Sequence, residues 1–330
     1  MGNSVACDIG VAFIEITIKL DGPEKPFENA KSFHYPPQNC TFYFIRYLKS
    51  EIHHFKTSEI YSQIPSSITP IIVCGINYDS FYDTLPQIFN CDFARSSKSN
   101  YTALALNFLW QSSPMSFYEY DMINPPLPDG SVTVRQEDYA RKIASFEEFY
   151  PYLLVNVKSG VSMYLVTSPV NFEKIGGSCL GLNSIWALLK SDENASFDAT
   201  FDHVLDGNST NVDMTVGDIY GCRYSFLPEK LTASTCGKLK DDPSYSSKDL
   251  TKSLLFMLLF NLGQIAGMHC FDLKVNKMIV IGSVFLNEGI EKLMRFTFNY
   301  YSKNILKLYF CDYSQYLRAF GVILQKNLLI

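Results

Sequence analysis

Charge is scarce in this sequence. Asp, Glu, Lys and Arg make up 18% of its 330 residues, and the balance is mildly acidic, with a formal net charge of −5. Phosphate backbones are bound by clustered Lys and Arg, so no nucleic acid partner is expected. Paired metal ligands are missing too. The nine Cys are dispersed, no two form C-x-x-C, and the closest, Cys222 and Cys236, lie fourteen apart. None of His34, His53, His54, His203 and His269 stands at finger spacing from a Cys, which argues against a zinc site. Scattered Cys of odd number read as buried reduced thiols of an intracellular chain. The start, Met1-Gly2-Asn3-Ser4-Val5-Ala6, lacks the charged-then-apolar signal pattern, and Ala6 stands where myristoylation wants Ser or Thr. The longest apolar run, Leu254 to Leu262, is interrupted by Asn261 and falls short of the roughly 20 residues that cross a bilayer, so it reads as a buried helix. The expectation is a cytoplasmic protein with no membrane partner.

Apolar material is plentiful. Hydrophobic residues reach 47% and aromatics 15%, with 25 Phe and 21 Tyr against 2 Trp. That supports a large core and excludes disorder over most of the chain. The length suits about two domains of ~150 residues.

Val5 to Leu20 is β-branched and alternating and predicts two strands turning near Gly10, with a third at Lys31 to Tyr35. Thr41 to Phe55 carries a helical period through Phe42, Phe44, Ile45, Leu48 and Ile52. A strand at Ile68 to Cys74 and helices at Asp79 to Phe89 and Lys98 to Trp110 follow. Pro114, Asn124-Pro125-Pro126 and Pro128-Asp129-Gly130 mark 116–150 as a hinge or loop. From Tyr152 the pattern resumes as three short strands, then helices near 181–190, 196–206 and 211–218. A long helix starts after Ser246-Ser247, and strand, helix, strand and helix run from Met278 to Leu329. A strand group followed by helix, strand, helix occurs once in each half. The sequence therefore divides into an N-terminal lobe (1–115), a hinge (116–150) and a C-terminal lobe (151–330), an arrangement that invites a ligand cleft between lobes.

Three places suit phosphate or nucleotide chemistry. Asp8-Ile9-Gly10 joins two strands; a Gly there admits close approach of backbone N–H groups to phosphate, and the Asp can face a Mg²⁺-bound water. Val155 to Ser162 repeats this with a small-residue turn at Ser159-Gly160. Ile281-Gly282-Ser283 ends a strand before a helix, where adenosine can lie.

With these motifs the chain resembles the eukaryotic-type pantothenate kinases, closest to the fungal form, of the actin and sugar-kinase ATPase superfamily. The resemblance rests on Tyr150 to Asn156, Ser159-Gly160-Val161-Ser162, Phe172 to Ser178, Gly207 to Asp213, Gly217 to Gly221, Lys252 to Phe256 and Asn261 to Ala266. It is nearly continuous from 150 onwards and thin over 1–110. It implies a two-lobed actin-like α/β ATPase fold. It further implies ATP-dependent phosphorylation of pantothenate towards coenzyme A, dimerisation through the C-terminal lobe, and inhibition by CoA or acyl-CoA. By this likeness Asp8 (also the metal residue), Gly10, Ser159, Gly160 and Gly282 serve nucleotide with Mg²⁺, and Ser162, Lys174, Gly176 and Gly177 serve substrate.

The chain departs from the family where the chemistry belongs. The phosphate loop D-I-G-G-T with its downstream Lys is here Asp8-Ile9-Gly10-Val11-Ala12 with Glu15. T-G-G-G is Cys74-Gly75-Ile76-Asn77, and the catalytic Glu falls on Lys98, which cannot accept a hydroxyl proton unless its pKa falls by several units. G-S-G is Lys158-Ser159-Gly160, G-G-G-T is Gly181-Leu182-Asn183-Ser184, an acyl-CoA-binding Arg is Lys174, and H-E-G-Y is Tyr313-Ser314-Gln315-Tyr316. The leading expectation is a catalytically degraded family member acting as a homodimer or as partner of an active paralogue. Its rivals are an active kinase with a base such as Asp79 or Asp83, and a nucleotide- or acyl-CoA-binding module without turnover. Blander readings stand beside these. Ser159 and Ser162 can merely cap a turn, Lys98 and His53-His54 can be helix surface, and Glu147-Glu148 can be a solvated pair. The aromatics of 296–301 are core residues or a dimer seam.

Overall fold

The computed structural model describes residues 3–10, 13–64, 70–75, 84–89, 92–96, 100–124, 134–189, 197–239, 244–282 and 287–326. Two compact units emerge. One comprises Met1–Ser116, Thr167–Phe172 and Tyr313–Ile330, the other Phe117–Val166 and Glu173–Asp312.

The first unit carries a six-stranded sheet made of β1 (Ser4–Ile9), β2 (Phe13–Asp21), β3 (Lys31–Tyr35), β4 (Cys40–Leu48), β5 (Ile71–Gly75) and β6 (Phe93–Arg95). Their order is β3-β4-β2-β1-β5-β6. The first four are antiparallel neighbours, while β5 runs parallel to β1 and β6 parallel to β5. One face packs Val5, Cys7, Ile9, Ile14, Ile16, Ile18, Tyr43 and Ile45 into a core closed by Ile52, Phe55 and Ile60. Those last residues come from a 3₁₀ helix at Lys49–Thr57 and from α1 (Glu59–Ser62), beside Leu85 and Ile88 of α2 (Thr84–Phe89). The other face meets α3 (Tyr101–Ser112) and the C-terminal helix Leu317–Lys326 through an aromatic cluster of Phe42, Phe44, Phe108, Tyr316 and Phe320.

This two-faced burial corrects the expected helix at Thr41–Phe55. Phe42 and Phe44 point to the aromatic cluster and Tyr43 and Ile45 to the opposite core, so β4 is apolar on both sides and its period of two disappears. A second correction concerns the C-terminal residues. Tyr313–Ile330 is expected in the C-terminal lobe but clusters with the first unit, because the rings of Tyr313, Tyr316 and Phe320 pack tilted or edge-on against Phe44 of β4.

The second unit carries a seven-stranded sheet made of β7 (Phe117–Met122), β8 (Tyr139–Ile143), β9 (Tyr152–Val157), β10 (Val161–Val166), β11 (Phe172–Ser178) and two later strands. Before those come α4 (Leu182–Leu189), α5 (Phe197–Asp202) and a two-stranded ribbon of β12 (Met214–Thr215) with β13 (Thr232–Ser234). Between the ribbon strands sits α6 (Val216–Tyr220), closed by a Thr215–Asp218 capping box. Then follow α7 (Ser247–Asp272), β14 (Lys277–Ile281), α8 (Glu288–Ser302) and β15 (Lys307–Cys311), and α9 is the C-terminal helix already described. Sheet order is β11-β10-β9-β14-β15-β7-β8. β14 is parallel to β9 and β15, whereas β9–β10, β15–β7 and β7–β8 are antiparallel. The expected hinge at 116–150 thus supplies β7 and β8 to this sheet; the Pro-rich 125–133 lies outside the described residues. The expected 211–218 helix is resolved into a short strand and α6. Among the described residues, α7 is long and apolar enough to cross a membrane, but 56% of its most apolar window is buried in the protein.

Two glycines of these helices behave oppositely. A Cβ on Gly321 of α9 would lie 1.9 Å from the Tyr101 carbonyl oxygen, so α9 crosses α3 at backbone contact, whereas a Cβ on Gly267 of α7 meets nothing within 4 Å. Gly267→Ala is expected to raise the unfolding free energy by up to about 1 kcal/mol through helix propensity. Gly321→Ala is expected to lower it by about 1–3 kcal/mol through overpacking, despite the same propensity gain. Denaturant unfolding of both variants checks the pair.

Candidate functional site

The β1–β2 hairpin places Asp8 directly opposite Glu15, and Glu15 directly opposite Arg46 on β4, so three charges form one row across the sheet. All face the side covered by α9. Asp8 is 0% exposed and Glu15 2%. Arg318 of α9 approaches Asp8 with its guanidinium 3.7 Å from a carboxylate oxygen, and the Arg46 guanidinium lies over Phe13, 4.3 Å from the ring centroid. Burial pushes the Tyr316 hydroxyl well above its ordinary range, eased by Arg46 and reinforced by Glu15. Like charges opposite each other on neighbouring strands repel, and a buried carboxylate is tolerated only when paired. Arg318 pairs with Asp8, and Arg46 stands in register opposite Glu15. Gly75 closes the row, since a Cβ there would stand 2.7 Å from an Asp8 carboxylate oxygen and 2.2 Å from the Ile9 carbonyl. Gly10 begins the hairpin turn, its N–H donating to the Phe13 carbonyl at 2.9 Å. Val11, Ala12, Ile76, Asp79, Asp83 and Lys98 lie outside the described residues.

In the second unit, four of the expected residues converge on the β9–β10 turn. The Lys158 N–H donates to the Gly160 carbonyl at 2.9 Å, and the Leu182 N–H of α4 donates to the Lys158 carbonyl at 3.0 Å. Backbone from three sides then closes on the turn. A Cβ would stand 2.0 Å from the Val157 carbonyl oxygen at Gly282 (φ +142°), 2.4 Å from that of Val161 at Gly177, and 2.5 Å from that of Ser159 at Gly181. No side chain fits, so Ser159-Gly160 is held rigidly against β11, α4 and the end of β14. Ser162 on β10 is directly opposite Asn156 on β9. Gly176 does a different job: His269 of α7 rests against it, its Nε2 2.8 Å from where a Cβ would be. Lys174 stands exposed on the edge strand β11, apart from the turn.

Other resemblance-bearing segments form scaffold. Lys252 of α7 is buried, its ammonium donating to the carbonyls of Leu205 (3.0 Å) and Gly207 (2.7 Å), and burial pulls its pKa down. Asp249 accepts from the Asn208 N–H at 2.6 Å and the Ser246 N–H at 3.0 Å. Asp213 accepts from the Ser253 hydroxyl and, at 2.9 Å, from the Cys236 N–H, and burial raises its pKa.

Past the end of β14 in the chain, the start of α8 rims a pocket of about 500 Å³. Asn287, Glu288 and Gly289 form one wall, Asp202, Leu205 and Asp206 another, and Arg135, Gln136 and Glu137 a third, where Arg135 is paired with Glu137 and Asp138. Its carboxylates disfavour phosphate and suit an uncharged or hydrogen-bond-donating group.

Sequence reasoning missed a further buried cluster. Glu291 of α8 accepts hydrogen bonds from the hydroxyls of Tyr118 (2.6 Å) and Tyr120 (2.7 Å) on β7. Arg141 lies over Tyr118 and pairs with Asp312 at 2.7 Å. Burial pushes Glu291 up to about 7, against the lowering effect of both tyrosines and Arg141. No local pattern announces this, because β7 read as loop. The raised pKa makes protonation stabilising. The contribution is complete below pH ~4.5 and is lost as pH rises through about 7. The difference in unfolding free energy between wild type and Glu291→Gln is therefore expected to shift against the wild type by on the order of 3 kcal/mol across that window, read from denaturant unfolding at a series of pH values.

The sequence profile of the Fumble family matches residues 15–325. A pantothenate kinase of Schizosaccharomyces pombe is 29% identical over 266 residues, covering 77% of this chain and 63% of that one. A Mus musculus protein named 4'-phosphopantetheine phosphatase is 35% identical over 185 residues, and pantothenate kinase 2 of Arabidopsis thaliana 32% over 187. These cover 53% and 54% of this chain but only 22% and 21% of the relatives. The chain thus spans less than two thirds of each of these relatives. Among solved structures, component A of the (R)-2-hydroxyglutaryl-CoA dehydratase of Acidaminococcus fermentans superposes with a TM-score of 0.51 at 10% identity, over 98% of this chain and 97% of that one. The ADPNP-bound activator of the Clostridium difficile 2-hydroxyisocaproyl-CoA dehydratase gives 0.50 at 11%, over 98% and 93%. At such identity the likeness establishes the fold alone, an actin-like α/β fold.

Proposed function

The chain belongs to the Fumble family, that of the eukaryotic-type pantothenate kinases, and from that membership we propose a member that binds the family's ligands without itself transferring phosphate. One observation carries this: the buried row Asp8–Glu15–Arg46 with Arg318. Phosphoryl transfer depends on cations gathered around the phosphates. In the hairpin that resembles the family's phosphate loop, the residue in place of the Lys is the buried carboxylate of Glu15, while Arg318 is paired with Asp8 and Arg46 stands opposite Glu15. These residues also fit a hydrated Mg²⁺ poorly, since Asp8 is fully buried and ion-paired. Among the described residues no group of three or more His, Cys, Asp and Glu is placed to hold a metal.

The second unit fits ligand binding better. The glycine-caged turn offers Ser159 and Gly160 to a phosphate or pantetheine, and the pocket at α8 accommodates an adenine beside Leu205 and Asn287, its amine donating to a carboxylate. Lys174 keeps the charge of the family's acyl-CoA contact but loses the bidentate geometry of Arg. Membership does not by itself entail kinase activity, given a relative named as a phosphatase. The role we assign is structural or regulatory in the cytoplasm. The chain would be a CoA-sensing subunit or the partner of an active paralogue, joined through the aromatic seam of α7 and α8, where Phe260 packs on Tyr300 and Tyr301 and Tyr300 is 51% exposed.

Labelled pantothenate with Mg-ATP tests the reading. The purified chain is expected to give no phosphorylated product alone, and the complex pulled down from its own cell to give it. Glu15→Lys is expected to stay silent, because it leaves three cations beside Asp8 alone and restores no base at the position of Lys98. Turnover by the purified chain, abolished by Ser162→Ala, overturns the proposal.

A further inference from the structure

We infer that Asn156 is a specificity-determining residue for the second unit's small-molecule ligand. Its side-chain amide oxygen would accept a hydrogen bond from a hydroxyl or amide N–H of a pantothenate-like molecule lying beside Ser162. The inference rests on the proposed function and names one contact within that site.

Three observations converge on this residue. First, β9 reads Tyr-Leu-Leu-Val-Asn-Val, and Asn156 is the only one of its six residues that is not fully buried. Second, Asn156 lies in register with Ser162 of β10 on one side and Ile281 of β14 on the other, with Gly282 next along that strand. Directly opposed residues of an antiparallel pair have Cβ atoms about 5 Å apart, so one small ligand group can touch both Asn156 and Ser162. Ser162 and Tyr164, two apart on β10 and so on this same face, are also partly exposed, which makes a polar, half-open strip on an otherwise buried sheet. Third, the Asn156 amide oxygen is shut from solvent and has no hydrogen-bond partner among the described residues. Buried acceptors are nearly always satisfied. The Tyr152 hydroxyl on the same strand also lacks a partner among the described residues, but it lies in the closed core. Asn156 instead stands beside partly exposed Ser162, where a partner from outside can reach it.

The chemistry narrows the ligand. An amide oxygen accepts and cannot donate, so it recognises O–H or N–H and is indifferent to ether or ester oxygen. Pantothenate supplies two hydroxyls and an amide N–H. A site built to hydrogen-bond such a group rejects analogues that lack it more strongly than an apolar pocket rejects an extra methylene. The glycine-caged turn next to Asn156 fixes this strip in place before any ligand arrives.

Calorimetric titration of the full chain with pantothenate, and with uncharged pantothenyl alcohol, tests the contact. Asn156→Leu, nearly isosteric but without an acceptor, is expected to weaken both ligands at least tenfold. Asn156→Asp, which keeps an acceptor, is expected to hold pantothenyl alcohol within about threefold of wild type. Asn156→Ala replaces the Leu variant if that one does not fold, as judged by its thermal transition. Unchanged affinity in the Leu or Ala variant overturns the inference and leaves the proposed function standing. Wild-type protein that binds neither compound refutes the proposed ligand class, and this contact with it. Equal losses in the Asp and Leu variants for the uncharged ligand also overturn it, since they point to packing and not to an accepted hydrogen bond.

Discussion

Two carboxylates face each other inside the first unit, on neighbouring strands and out of reach of water. That arrangement is stable only if cations accompany it, because burying an unpaired charge costs several kcal/mol. Arg46 meets the need from the next strand, fixed by the register of β2 and β4. Arg318 meets it from the last helix of the chain. The return of Tyr313–Ile330 to the first unit therefore has an electrostatic as well as an aromatic cause. α9 brings Phe320 to the ring cluster and Arg318 to Asp8 in the same turn, and Gly321 permits the close crossing of α3 that both contacts need. A lysine at position 15 would set three cations against one carboxylate. The substitution at 15 and the arginines around it form one solution and are best understood together.

The second unit is organised by backbone proximity instead of charge. Gly177, Gly181 and Gly282 let three strand or helix ends touch the Ser159-Gly160 turn, and each position excludes any side chain. Nearby, Lys252 donates to backbone carbonyls, Asp249 accepts from backbone N–H groups and the Asn211 amide, and Asp213 accepts from Ser253 and the Cys236 N–H. Motif residues that look functional in sequence are thus largely the frame of the turn. Such a frame fits the near-continuous likeness read in the sequence from 150 onwards, while the family profile itself extends over residues 15–325. A frame of backbone contacts tolerates little substitution, whereas a buried charge row can be rebuilt when a partner arginine is at hand.

Legibility in the sequence followed the same physics. The β1–β2 hairpin, β9 to β11, α7, α8 and α9 were readable, because each shows a clean period or a strong stop signal, such as Ser246 opening α7 with a capping box. β4 was misread as helix since both its faces are apolar. β7 and β8 were hidden by the prolines between them, and β8 is an edge strand with four of its five residues exposed. In the site, the departures from the family pattern at Glu15 and Lys174 were visible as residue changes. The pairing of Glu15 with Arg46, thirty-one positions apart, was not, because register is a tertiary fact. Asn156 was hidden for another reason: an Asn within an apolar strand is ordinary in sequence, and its open acceptor matters only together with its register opposite partly exposed Ser162.

The division of labour between the units bears on what the chain can still do. Recognition of a small polar molecule needs a rigid frame and a few convergent hydrogen-bonding groups, and the second unit retains both at Ser159, Ser162 and Asn156. Phosphoryl transfer needs, in addition, unpaired positive charge at the phosphates and a carboxylate free to take a proton. In the first unit the carboxylates at the hairpin are buried, with Asp8 paired to Arg318, and the positions expected from the sequence for the family's base and Gly-rich loop hold Lys98 and Ile76. On the proposed reading, a protein that keeps the first set of requirements without the second is suited to report ligand concentration, or to complete an assembly whose chemistry is done elsewhere. In such a protein selection would act on the glycine-caged turn and on the α7–α8 seam, while the hairpin is constrained only by the need to keep its buried charges paired.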